Sequence, residues 1–373
     1  MLCPVLILDR RVGLGDNFIV TKKVRRLARK KKAPAISESR ILLFCEKDWA
    51  NLAFTLSETL RSVGIEADAF KLRKHGSEVA QQRPRQAEII VIKDFIKLCK
   101  EYDIIVFMHS GQNVLIPQNK YKRKEYEDNI RLVKRYMRNN RKKTYVGFHG
   151  SSFYRRYHKK INLSLNKYVC GSIVQTGDLL DLGAKNETWI QAPVDLSSLN
   201  PNFDLVNEKL TFAHHPSLRG KKNSDMIDDL FERLSKEEDI KDKFVYRTGE
   251  RVSHSDNMKR VGTCDVYIDH QAYTLYNKPY GEFGIAALEA AALGKISISC
   301  TKKQERYEEE YGKLGMLVSN SPDELELLVR KLIAMDKGEI LELKKQARKW
   351  VEEYHSYQYI GDKLKRFFEQ LVR

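Results

Sequence analysis

Short apolar runs alternate with amphipathic stretches through the first half of the chain. Ile41–Cys45 is apolar throughout, as a strand covered on both faces would be. After it Leu52, Leu56, Leu60 and Val63 recur at helical spacing, and Gly64 can end that helix. Further strand-type runs are Ile65–Phe70, Ile89–Ile92, Ile104–Met108, Thr144–Phe148 and Ile173–Val174. A polar stretch, Gln191–Asn207 with Pro193 and Pro201, reads as a linker. The pattern then restarts. Strands are expected at Leu210–Ala213, Phe244–Tyr246, Val266–Ile268, Ile296–Ser299 and Met316–Val318, with helices over Ser224–Leu234 and Ile285–Leu293. Ser321-Pro322-Asp323-Glu324 carries a capping serine, a proline at the first helical position and a glutamate at the third, opening a helix to about Met335. A charged amphipathic segment, Glu339–Arg373, closes the pattern.

Strands separated by helices imply right-handed crossovers and parallel sheets. The expected fold is α/β, with two Rossmann-like doubly wound domains facing across a cleft. The divisions are a basic extension at 1–39, a first domain at 40–200, a second at 201–340 and terminal helices at 341–373. Ligands in such folds sit at the carboxyl ends of the strands.

Charge changes the picture because it is one-sided. The first 200 residues carry 38 Lys and Arg against 20 Asp and Glu, while the remainder carries 29 against 30. The excess points to a polyanionic partner for the first half, nucleic acid or an acidic membrane surface. Six cysteines without a C-x-x-C pair argue against a zinc site or a disulfide framework and for buried free thiols. No apolar run reaches membrane-spanning length, and Asp9-Arg10-Arg11 ends the apolar start too soon for a signal-peptide core. A cytoplasmic protein is the expectation.

Candidate chemistry concentrates in Tyr280–Gly294, a glycine-containing loop that runs into a helix N-terminus. Such a terminus offers unpaired N–H groups and partial positive charge, which suit a diphosphate. Glu289, in the second turn, can accept both hydroxyls of a ribose or can be an ordinary helix-face charge. No Asp-x-Asp pair stands near a strand end, since Asp228-Asp229 lies within a helical pattern. No metal and no other cofactor is expected.

The run Gly281-Glu282-Phe283-Gly284, followed by Glu289-Ala290, Ala292 and Gly294, resembles the donor signature of retaining GT-B glycosyltransferases, family 4-like. His214-His215-Pro216-Ser217 with Lys222-Asn223-Ser224 resembles the H-A-P-S…K-G-T element of that superfamily. Phe148-His149-Gly150-Ser151 resembles its H-G-S element, and Ala192-Pro193-Val194-Asp195 its interdomain P-V-D. The resemblance implies a sugar-nucleotide donor with Arg219 and Lys222 at its diphosphate, Gly284 at the helix start and Glu289 on the ribose. Ser224 adds a hydroxyl or a cap, His254 stands near the base, and His149 faces the transferred sugar. One departure concerns the sugar: Gly281 occupies the position of the family's first glutamate, so sugar contact falls to Glu282, Tyr280 or backbone.

The basic half then describes the acceptor. Phe153, Tyr154 and Tyr157 interleave with Arg155, Arg156, Lys159 and Lys160 directly after Ser151. Cations among aromatics suit a phosphate backbone with a stacked or flipped base. Ser151, Tyr154, Arg155, Arg156 and Lys159 are the candidate acceptor residues. The leading expectation is sugar transfer to a hydroxylated base in DNA, as some viruses encode. The alternatives are a peripheral membrane enzyme extending a lipid-linked or cell-envelope glycan, and an inactive GT-B module that binds nucleic acid.

Overall fold

A computed structural model describes residues 35–73, 85–117, 123–150, 152–204, 208–275 and 278–372. The expected strand Pro4–Leu8, the basic helix Phe18–Lys32, Cys3 and Ser151 lie outside them. The first sheet is built from β1 (Ile41–Cys45), β2 (Ala67–Lys71), β3 (Glu88–Ile89), β4 (Ile104–Phe107), β5 (Thr144–His149), β6 (Gly171–Val174) and β7 (Glu187–Trp189). All seven run parallel in the order β3-β2-β1-β4-β5-β6-β7, with Ile41 opposite Ala67 on one side and Ile104 on the other. Helices α1 (Leu52–Ser62), α2 (Ile92–Leu98), α3 (Arg123–Asn139) and α4 (Ser152–Leu165) provide crossovers. β1 and β4 are buried along their whole lengths, which is why both are unbroken apolar runs.

The second sheet takes β8 (Leu210–His214), β9 (Phe244–Thr248) and β10 (Val266–Ile268). A small antiparallel hairpin follows, β11 (Thr274–Leu275) and β12 (Lys278–Pro279), and then β13 (Ile296–Ser299) and β14 (Leu317–Val318) rejoin the sheet. Its order is β14-β13-β10-β8-β9, again parallel. Around it lie α5 (Arg219–Lys222), α6 (Ser224–Leu234), α7 (His254–Gly262), α8 (Ile285–Ala292), α9 (Gln304–Tyr311), α10 (Pro322–Ala334) and α11 (Lys337–Tyr354). Ser321 caps α10 by accepting the Glu324 N–H at 3.2 Å. Both sheets belong to one compact body.

One expected strand differs from the sequence reading. Ile89–Ile92 is not one strand: only Glu88–Ile89 pairs, at the exposed sheet edge, and Ile92 begins α2. The terminal segment forms two helices: α11 ends at Tyr354, and α12 (Tyr357–Val372) returns to pack on α1 of the first half. Gly361 permits that approach, since a Cβ there would stand 2.9 Å from the Thr59 carbonyl oxygen. Among the described cysteines Cys45, Cys99, Cys264 and Cys300 are buried, Cys170 is half-buried, and all five are free thiols. No helix of the described residues is long and apolar enough to cross a membrane.

Three cations of the second half hold the linker that joins the sheets. Lys295 donates to Asn202 O at 3.1 Å, and Arg348 donates to Leu199 O at 2.8 Å. Lys344 donates to Phe203 O, to Asp204 O and to the Asp265 carboxylate at 2.7 Å; both side chains of that ion pair are fully buried. Replacing one member of a buried pair strands the other charge in a medium that solvates it poorly. Lys344→Met is therefore expected to cost about 3–5 kcal/mol in urea unfolding. Lys345→Ala, whose pair with Glu342 is half exposed, should move stability by less than about 1 kcal/mol.

Candidate functional site

The order of the second sheet reverses between β8 and β10, so their carboxyl ends leave a crevice that neither crossover covers. Asp269, the residue after β10, is fully buried there. Its carboxylate receives the Lys222 ammonium, the Gly284 N–H at 2.9 Å and the His270 ring at 3.1 Å. Burial works to raise its pKa, but Lys222 and His270 outweigh that and hold the group well below the usual carboxylate range. One anion thereby fixes the end of α5 against the start of α8.

This crevice opens into a cavity of about 560 Å³ lined from both halves. Lys222, Gly284, Ile285 and Ala286 line it at the amino end of α8. The next turn of α8 contributes Glu289, 6% exposed, whose Oε1 accepts from His254 Nε2 at 2.7 Å. Ser253 caps α7 by accepting the Asp256 N–H and so sets the place of His254. Lys222, His254, Gly284 and Glu289 are thus brought together as the sequence reading expected of a single site, and Glu282 joins them on the cavity wall.

Other candidates stand elsewhere. Arg219 turns away from the cavity to Asp225 and Asp228, both at 2.6 Å. Those carboxylates lie in the first turns of α6, a signal present in the sequence. Ser224 is buried off the cavity and neither caps α6 nor faces a ligand; its hydroxyl is bound to His214 Nε2 at 2.8 Å. His149 is fully buried, stacked on Tyr154 at 4.0 Å and held through Nδ1 by Ser110 Oγ at 2.9 Å. Burial lowers its pKa to about 3, and it does not line the cavity. Tyr154 is likewise buried, its hydroxyl 3.1 Å from Asn162 Oδ1, so it offers no stacking face. Arg155, by contrast, lines the cavity from α4, paired with Asp178 and 4.5 Å above the ring of Tyr280. Arg156 and Lys159 lie exposed on α4.

The structure adds three imidazoles to the cavity wall, those of His109, His215 and His270. His109 follows β4 and lines the cavity with a left-handed backbone, φ 51°, shared by Ser110 and Gly111. Non-glycine residues rarely hold that conformation, and it is concentrated at functional sites. The Trp49 N–H donates to His109 Nε2 at 3.3 Å, which places the ring proton on Nδ1. His109 Nδ1, Gln191 Nε2, His215 Nδ1, His270 Nε2 and Glu282 Oε2 are all buried without a hydrogen-bond partner, and all five residues line the cavity. Buried polar atoms are ordinarily paired, so a cavity ringed by unpaired ones is shaped for a polar ligand.

Also on the cavity wall, Glu282 Oε1 accepts from Thr301 Oγ1 at 2.7 Å. Burial first, and Asp178 also, push its pKa up to about 8. The shift of the glutamate by one position has a backbone cause. Gly281 sits at φ 147°, where a side chain is strained, and a Cβ there would meet Cys300 Sγ at 3.3 Å.

Ligand atoms of Cys45, Asp48 and His109 lie within 4.8 Å of one another behind the first-half wall. They suit a metal poorly. The Asp48 oxygens already accept the Ala53 and Phe54 N–H groups that start α1, and burial pushes the Cys45 thiol up.

No protein-family model matches the chain, and no curated protein does. Solved structures do. A sucrose-phosphate synthase from Thermosynechococcus elongatus superposes with a TM-score of 0.57 at 14% identity, covering 89% of this chain and 99% of that one. HepE of Anabaena, in complex with UDP-glucose, gives 0.58 at 13%, covering 89% and 100%. TarM gives 0.56 at 11%, covering 90% and 99%. The likeness is one of fold, and the fold is GT-B: two parallel Rossmann-like sheets on either side of a cleft.

Proposed function

We propose that the protein is a glycosyltransferase that uses a sugar nucleotide, with retention at the sugar and without a metal. The observation that carries this is the convergence of Lys222, the start of α8 and the Glu289–His254 pair at one switch-point cavity. Lys222 and the helix start would take the diphosphate, Glu289 the ribose, and His254 the edge of the base. A cation and a helix terminus can stabilise the departing diphosphate as a metal does in other sites. Glu282 and His109 both line the cavity and would face the transferred sugar, His109 filling the role the sequence suggested for His149. HepE, of similar fold, is solved in complex with UDP-glucose, which makes that donor the first to try.

For the acceptor, the hydroxylated DNA base retains the support of the basic first half; Tyr154 is buried and cannot stack on it, while Tyr157 is 38% exposed. The second reading, extension of a lipid-linked or cell-envelope glycan, is favoured by one observation: Leu163 stands 82% exposed among the cations of α4. Transfer of sugar to hydroxymethylated duplex DNA tests the first reading, and its absence with every common donor would sink it. Turnover of any sugar nucleotide removes the third reading, an inactive module.

Two measurements test the donor site. Titration with UDP-, GDP-, ADP- and dTDP-sugars should find one that binds, and Glu289→Ala should weaken it about 10- to 100-fold, as loss of hydrogen bonds to a charged group does. Equal binding by the variant would remove Glu289 from the site. Glu282 predicts a pH effect. From the ordinary carboxyl pKa of 4.5 up to about 8, the folded protein holds a proton that the unfolded chain has released. Folding stability then falls as pH rises through that window, by up to about 1.4 kcal/mol per unit. Glu282→Gln should abolish that slope, so urea unfolding at pH 5 and pH 8 should show the variant gaining on the parent at the higher pH.

A further inference from the structure

Between Asn129 and Gly177 the chain carries twelve lysines and arginines and not one aspartate or glutamate. The structure assembles much of that stretch into one outer surface. Lys134 of α3 donates to Ser164 Oγ of α4 at 3.3 Å, so the two helices lie side by side. Lys134 is half-buried, and its pKa is lowered by burial first and then by Lys167 and Arg138, so the three cations crowd together. None of the three has a carboxylate partner among the described ion pairs. Arg135 on α3 and Lys159 and Lys160 on α4 extend the exposed charge.

This surface is not purely ionic. Leu163 directly precedes Ser164 and is 82% exposed; Tyr157, one turn before Lys160 and Ile161, is 38% exposed, and Leu132 of α3 is 37% exposed. An aliphatic side chain held in water beside crowded cations is unfavourable on both counts. Each is relieved at an anionic bilayer, where cations meet lipid phosphates and leucine enters the acyl boundary. A nucleic-acid duplex would satisfy the charges and leave Leu163 exposed.

We propose that the α3–α4 face docks the protein on an anionic membrane, with Leu163 as the inserted residue and Lys134, Arg138, Lys160 and Lys167 as the phosphate-facing cations. The inference deepens the second acceptor reading and rests on it only for the identity of the acceptor. Binding of a sugar nucleotide stands or falls separately.

The test is flotation of the full chain with vesicles of phosphatidylcholine alone and with vesicles containing phosphatidylglycerol. The expected result is binding to the anionic vesicles only, reversed by high salt. Lys160→Glu combined with Lys167→Glu should lower the partition coefficient by at least about 25-fold, from roughly fivefold for each cation lost. Leu163→Ser should lower it about tenfold with the charge intact. Binding to anionic vesicles that neither variant changes would place the contact elsewhere on the basic half and overturn the proposal. Duplex DNA binding that falls with the charge reversal and ignores Leu163→Ser, with no vesicle binding, would assign the face to nucleic acid instead. Thermal unfolding of each variant, and its affinity for the best sugar nucleotide, separate loss of docking from loss of fold or donor site.

Discussion

The Asp269 carboxylate is the group around which the second half is arranged. It sits where the strand order reverses, fully enclosed, and three donors from separate segments converge on it. An unpaired charge at that depth would be costly, so α5, α8 and the residue after β10 must keep their relative places for the fold to persist. The same constraint presents the start of α8 to the cavity with Lys222 already beside it. A structural obligation and a candidate binding geometry are thus met by one anion.

Much of the framework was legible because burial leaves a simple trace. β1 and β10 are unbroken apolar runs, and α6 carries its apolar residues at Ile227, Leu230, Phe231 and Leu234 on one face. β7 was not legible: Glu187-Thr188-Trp189 lies at a sheet edge, and only Trp189 is buried. Terminal helices were expected, but not where α12 packs, since its partner is a helix some 300 residues earlier in the chain.

The site was read unevenly for related reasons. Gly284 and Glu289 lie near one another because one helix start sets their spacing, and local spacing survives in sequence, whereas Lys222 joins them only through Asp269. His149 and Tyr154 failed as surface residues because the burial of β5 and α4 depends on how the two elements pack. His109 was invisible for another reason: nothing in its residue type announces a left-handed backbone. The Gly281-Glu282 order looked like a defect in the pattern, whereas the backbone at 281 admits the glycine and places the acid next to Thr301 and Asp178.

The return of α12 onto α1 means that the chain passes between the two halves twice, once through the linker clasped by Lys295, Lys344 and Arg348, and once at His355. At the second passage the Val194 N–H donates to His355 O at 2.8 Å, so the two crossings touch. A body joined to another by one strand can swivel about any direction. With two adjacent strands fixed at their roots, twisting shears one tether against the other. Trp189 of the first half also packs edge-on against Tyr307 of the second, so the back of the cleft resists relative twist of the halves.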